Sequence, residues 1–423
     1  MRLWSLCVLY LLVCPPALAD ALLLRAARLV DVERGRTIAP ASLLVEDGRI
    51  VAVNPSAALP DAEVVELGNR TLMPGMIDAH VHLTGSDANF RQQVLTESSA
   101  KNALRGAVNA RTTVLAGFTT VRDLAQLVPT IELTTVALSE ASAAGWIVGP
   151  DIVAVGHALS ITGGHIDPAM FVATAEGVLR LSPEHGVADG VDEVVRATRF
   201  QIKHGARAIK ISATAGVMSL ESSVGAQQYT EEEMRAVVEE AGRHGIGVAA
   251  HAHGTEGINA AIRAGVASIE HGSLLDDESI RLMKANGTFL VPTTGLADTV
   301  QLDGLPTPIR QKAEYILPLA KENISQAIRA GVKIAMGSDA PLIPHGENAR
   351  EIYAMVERGM SVPDALRAAT INGAQLLRLD DRGRLAEGLR ADVIAVDGDP
   401  MTDIESLSRV SFVMKKGEIL KRP

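Results

Sequence analysis

Five short apolar runs in this chain each deliver a metal-binding side chain where they end. They are Ile77-Asp78-Ala79-His80-Val81-His82, Ala208-Ile209-Lys210-Ile211-Ser212, Ala250-His251-Ala252-His253-Gly254, Ile269-Glu270-His271-Gly272 and Gly337-Ser338-Asp339-Ala340-Pro341. Runs of this length read as strands, and donors at the ends of successive strands are how a (β/α)8 barrel assembles a site at one rim. The pattern therefore constrains fold and chemistry together.

The two ends of the chain have a different texture. Residues 1–19 read as a secretory signal peptide: Arg2 gives a positive start, Leu3 to Val13 are apolar, and Pro15-Pro16-Ala17-Leu18-Ala19 resembles a cleavage site. The apolar run is too short for a bilayer, which takes about 20 residues. The expected product is exported, periplasmic or secreted; lipidation of Cys14 is the alternative. Cys7 and Cys14 are the chain's two cysteines, so the mature protein would have neither disulfide nor thiol chemistry. Any metal site must then use His, carboxylate or Lys. A net charge of −10 and 3% aromatic residues argue against nucleic acid, and against stable membrane insertion or an anionic surface as partner.

Residues 20–72 alternate short strands with turns, including Asp47-Gly48, a strong hairpin signal. The segment 384–423 repeats that texture. Together they are expected to form a small β-sandwich beside an α/β region, 73–383, read as a (β/α)8 TIM-like barrel. Its strands are expected near Met76–His82, Thr119–Asp123, Ile152–His157, Ala208–Ser212, Gly247–His251, Ser268–His271, Phe289–Thr293 and Lys333–Gly337. Thr230 and Glu233 form a capping box that opens a helix. Loops 156–190, 213–229 and 294–310 are long and are expected to build a substrate pocket.

His80 and His82 alternate along one strand and so share a face, an arrangement that suits a divalent cation such as zinc. Lys210 sits between isoleucines; a buried ammonium there tends to lose its charge, and the neutral amine can take up carbon dioxide as a carbamate. An ion-paired lysine is the alternative. His251 follows Lys210 by 41 residues and His271 follows His251 by 20. His251 is the favoured ligand, and His253, on the same face, is a ligand in its place or a substrate contact. Asp339 can hold a metal and accept a proton from an attacking water. His345 is a candidate for the pocket wall, whereas His185, His204 and His244 read as structural and Trp146 as packing.

The stretch Pro74-Gly75-Met76-Ile77-Asp78-Ala79-His80-Val81-His82-Leu83 resembles the first-strand signature of the amidohydrolase superfamily. The set His80, His82, Lys210, His251, His271 and Asp339 resembles its binuclear subtype with a carboxylated lysine. Within it, Thr162-Gly163-Gly164-His165-Ile166-Asp167, Ala215-Gly216-Val217-Met218-Ser219 and His251-Ala252-His253-Gly254 are similar to the imidazolonepropionase-related branch, which includes Xaa-Pro dipeptidases, carboxypeptidases and ochratoxin-type amidases. The resemblance implies two divalent metal ions, zinc first among the candidates. His80, His82 and Asp339 would hold one, and His251 and His271 the other. Carboxylated Lys210 and a hydroxide would bridge them, with Asp339 as general base and acid. It implies hydrolysis of an amide in a dipeptide or N-acyl amino acid, with His165, Tyr229 and His157 as candidate donors to the oxyanion or the substrate carboxylate, and His165 and Tyr229 favoured. It also implies a homo-oligomer. An imidazolone-like cyclic-amide hydrolase is the second reading, and a non-catalytic binding protein on the same fold the third.

Overall fold

The structure, a computed structural model, describes residues 21–56, 62–86, 93–94, 96–126, 128–171, 181–220 and 223–423. The expected leader, 1–19, lies outside the described residues, as do parts of loops 156–190 and 213–229. Among the described residues no helix is long and apolar enough to cross a membrane.

The terminal segments meet. One four-stranded sheet takes Leu22–Ala26, Ala41–Glu46, Arg49–Val53 and Glu63–Glu66. A six-stranded sheet joins Arg28–Asp31, Arg36–Ile38 and Arg70–Pro74 to Val393–Asp397, Val410–Lys415 and Glu418–Lys421 from the far end of the chain. Leu24, Leu43 and Ile50 of the first pack with Leu72, Val393 and Phe412 of the second in one apolar core. The Asp47-Gly48 turn has positive φ at both residues, as a two-residue hairpin requires. Gly48 is also needed for space, since a Cβ there would lie 2.6 Å from the Lys416 carbonyl.

Between these segments the strands run parallel and their residues are buried on both faces, which is why they read as unbroken apolar runs. Met76–Val81, Phe118–Asp123 and Asp151–Ala154 form one sheet; Ile209–Ser212, Val248–Ala252, Ser268–His271 and Phe289–Val291 form another. Parallel bridges join them: Leu159 to Ile211, Leu290 to Ile334 and Val81 to Ala340. The eighth expected strand, Lys333–Gly337, is not a regular strand but pairs through such bridges. Two features mark the end of this run. A Cβ on Gly337 would lie 2.7 Å from His80 Cβ, and Asp339 turns into the left-handed region at φ 57°. Helices cover the sheets, and the Thr230–Glu233 capping box opens Glu231–Arg243. Trp146, expected to pack, is instead 82% exposed.

Candidate metal centre

His80, in the strand Met76–Val81, and His82, just past its end, put both rings on one side of the sheet. Register carries the site onward. Ser212 pairs with His251, and Ala252 with His271, so the tips of neighbouring strands present their donors at one level. His271 (φ 71°) and Asp339 (φ 57°) both take left-handed backbone where their runs end, a conformation that non-glycine residues hold only when the surroundings fix it. The result is two trios, His80–His82–Asp339 and His251–His253–His271, each with ligand atoms within 4.8 Å of one another. The His80 and His271 rings lie 5.1 Å apart and connect the two.

Four of these imidazoles have one ring nitrogen engaged by an outer partner. His80 Nδ1 meets Glu270 Oε2 at 2.9 Å, and His82 Nδ1 the Ala125 carbonyl at 3.1 Å. His253 Nδ1 meets Ser273 Oγ and His271 Nδ1 meets Thr293 Oγ1, both at 2.8 Å. The carboxylate and the carbonyl, which only accept, fix the tautomer of His80 and His82. All four contacts orient the ring so that the other nitrogen is left for a metal. His251 Nε2 is buried with no hydrogen-bond partner. Orphaned buried nitrogens are rare and point to something that binds there. Donor chemistry and geometry thus fit divalent cations.

Electrostatics agree. Burial holds His251 and His271 well below the usual imidazole range and His253 down to about 4, so each keeps a lone pair at neutral pH. Burial would lower His82, the most exposed of the set, but the Asp339 hydrogen bond and the charges of Asp339 and Asp123 together raise it. Burial would raise Asp339, but His80 and His82 at 3.3 and 3.4 Å hold it well below the carboxylate range. Burial brings the Lys210 amine down to about 8, against the pull of Glu270 and Asp339. A sizeable neutral fraction is what carbamate formation needs.

The outer layer was not read from the sequence. Glu270 bridges His80 to Arg122, whose Nη2 lies 2.8 Å from Oε1, and Arg122 Nε donates to the Ala79 carbonyl at 2.7 Å. Asp78 accepts from Ser338 Oγ (2.6 Å), Ser338 N (3.0 Å) and Asn348 Nδ2 (2.8 Å), which anchors the turn that presents Asp339. Glu270 beside His271 was the one available signal.

The centre forms part of the lining of a cavity of about 250 Å³ that also includes His157, His165, His185 and Lys210. His165 stacks on His251 with ring centroids 4.2 Å apart, and only a glycine fits behind it: a Cβ on Gly216 would come within 2.1 Å of the ring. Burial and neighbouring cations push His165 down to about 3, so it acts as a neutral imidazole. His157 reaches the wall, with Nε2 on the Thr130 carbonyl at 2.7 Å. Tyr229 is a correction. It is buried in the core, outside the cavity lining, and its hydroxyl donates to the Ala188 carbonyl at 3.0 Å, which leaves it no reach to a substrate. His345 likewise faces Thr113 at 3.2 Å rather than the cavity, whereas His185, read as structural, lines it. The helix Thr307–Arg329, invisible as a pocket wall in the sequence, contributes Ala313, Ile316, Leu317, Ala320 and Ile324.

A parallel-sheet rim carrying two clusters of converging imidazoles, a buried carboxylate and a buried amine defines a metal-dependent hydrolase. The chain belongs to the amidohydrolase family, whose model matches residues 71–420. It is 34% identical over 414 residues to an ochratoxinase of Aspergillus niger, covering 92% of this chain and 84% of that protein. A crystal structure of a Xaa-Pro dipeptidase with bound methionine in its active site superposes with a TM-score of 0.88 at 36% identity, covering 95% of this chain and all of that one. Imidazolonepropionase of Micrococcus luteus is 26% identical over 383 residues, 87% of this chain and 90% of that protein. The protein is accordingly a metal-dependent enzyme that hydrolyses C–N bonds of the amide or peptide kind in small molecules.

Proposed function

We propose that it cleaves the amide of a dipeptide or N-acyl amino acid with two divalent cations at the cavity floor, zinc first among the candidates. The carrying observation is the pair of donor trios flanked by Lys210 on the same cavity. His80, His82 and Asp339 would hold one cation and His251 and His271 the other, with Lys210 as a shared ligand once its neutral Nζ has added carbon dioxide and released a proton. His253, equally close, is the alternative to His251 or a contact to substrate. When bound, the cations polarise the scissile carbonyl and acidify a water to near neutrality.

The chain's own residues do the rest. Asp339, held ionised, accepts the proton of the attacking water and passes it to the leaving amine. His165, neutral and at the cavity wall, donates to the developing oxyanion or to a substrate carboxylate; His157 is a weaker candidate because Thr130 already occupies its Nε2. The substrate reading draws on the ochratoxinase and dipeptidase likenesses. The imidazolonepropionase likeness, weaker in identity, supports a cyclic-amide hydrolase as the second reading.

The finer architecture belongs to the same proposal. The bridges between the two parallel sheets support a closed (β/α)8 barrel over 73–383, and the shared core of 20–72 and 384–423 supports a sandwich. The character of residues 1–19 supports export to the periplasm or beyond. Exposed Leu104, Val108 and Trp146 support assembly as a homo-oligomer.

The test is metal-dependent hydrolysis of dipeptides and N-acyl amino acids. Chelation should abolish turnover and added zinc restore it. Undiminished turnover after exhaustive chelation, or activity on cyclic amides alone, would overturn the reading.

A further inference from the structure

The cavity has a polar floor and apolar walls. Val217 and Met218 form one side, Leu296 and Val300 another, and Ile316 and Leu317 of the helix Thr307–Arg329 a third. Five of these six are half-buried, so apolar surface remains open toward the cavity. Among the described lining residues the charged side chains are Lys210 and Asp339 alone, both in the metal centre.

Two hydrogen-bonded ties hold the walls in place. Lys312, on the same helix, donates from Nζ to the Gly216 and Ser219 carbonyls at 2.9 and 2.8 Å, which fastens helix to loop on either side of Val217 and Met218. Further along, Asn323 Nδ2 donates to the Ser273 carbonyl at 2.9 Å, close behind the residue that orients His253. These bonds tie the helix to the loop that carries Val217 and Met218 and to the segment behind His253.

We propose that the natural substrate carries a bulky, uncharged apolar group beside the scissile amide, and that Val217, Met218, Leu296, Val300, Ile316 and Leu317 select it. This rests on the amide-hydrolase reading and goes beyond it by fixing the substrate class. A charged side chain would lose its hydration against these walls, whose described lining carries no charge outside the metal centre. The Lys312 ammonium behind one of them is bound to two carbonyls. Each methylene removed from water favours binding by about fourfold until the space is filled.

The experiment measures kcat/KM for two matched dipeptide series, Gly-X and X-Gly, with X as Ala, Leu, Phe, Glu or Lys. In at least one series Leu and Phe should exceed Ala by about tenfold or more, and Glu and Lys should fall about a hundredfold below Leu. Leu317→Lys should raise the Glu-to-Leu ratio by about tenfold or more. Leu296→Lys, on another wall, is a second variant should the first not fold. Flat rates across X in both series, preference for Glu or Lys, or an unchanged ratio in both folded variants overturns the proposal. If no peptide is cleaved, the dipeptide reading fails separately. Calorimetric titration of the same peptides then decides, with Leu and Phe binding at least tenfold more tightly than Glu supporting the walls as selective and equal affinities overturning them.

Discussion

Two buried clusters of charge sit at opposite ends of the parallel strands and are built on opposite principles. At the starting end, Asp151 meets Arg382 at 2.6 Å and Arg390 at 3.0 Å; Arg382 meets Asp381 at 2.7 Å and Arg390 meets Asp392 at 2.6 Å. Each charge there faces an opposite one, and the network joins the strands to the C-terminal segment. At the finishing end, six imidazole and carboxylate donors converge with one orphaned imidazole nitrogen and a lysine that burial brings down to about 8 among them. Saturated charge staples a fold together. Donors that converge on one another and leave a buried nitrogen unpartnered mark a place where something binds.

That contrast can be broken most forcefully at Lys210. Lys210→Ala should leave a folded protein and lower kcat/KM by about a thousandfold through loss of the shared ligand. Near-normal turnover would remove the carbamate from the account. Metal content of the variant, measured alongside, should fall with activity.

Glu270 tests whether the finishing end depends on its outer layer. Glu270→Gln should weaken metal affinity or activity by about 10- to 100-fold. It should also cost about 3 kcal/mol of stability, because Arg122 would lose its buried counter-charge. Burial alone would raise this carboxylate, yet Arg122 and then His80 bring it down to about 2 from an ordinary 4.5. A depressed carboxylate stabilises the folded state above its unfolded range. Its contribution is therefore complete above about pH 4.5 and is lost as pH falls toward 2. The variant should show a shallower acid-unfolding curve across that window.

Asp151 should give the opposite signature and the smallest functional effect. Asp151→Ala should destabilise by about 3 kcal/mol while kcat/KM stays within about twofold. Arg382 and Arg390 hold Asp151 below the ordinary carboxylate range in spite of its burial, so its stabilisation too is present above that range and lost on acidification. A large loss of turnover with stability intact would erase the distinction between the two ends.

The donors themselves were legible because a metal site requires rare side chains at strand tips, and six such residues in register leave few alternatives. Seven of the eight expected strands match regular strands within a few residues. The last pairs only through isolated bridges, and the need for glycine at 337 beside His80 is a tertiary effect that no local pattern carries. Arg122 and Asp78 look like ordinary strand residues, and their roles emerge only when Ser268, Glu270 and Ser338 are brought beside them. Tyr229 was misread for the converse reason. A hydroxyl in a loop near the mouth suggests a substrate contact, but burial required it to find a partner at once, and Ala188 supplied one. The helix Thr307–Arg329 has an apolar face that reads as core packing, and only its place over the cavity turns that face into a wall.

Metal stoichiometry of the purified full-length chain, by elemental analysis after loading and removal of free ions, tests the central claim most directly. The converging donors should retain close to two divalent cations per chain, falling to one or fewer in His251→Ala and His80→Ala. Retention of no divalent cation by a folded wild-type protein that still hydrolyses amides would contradict it.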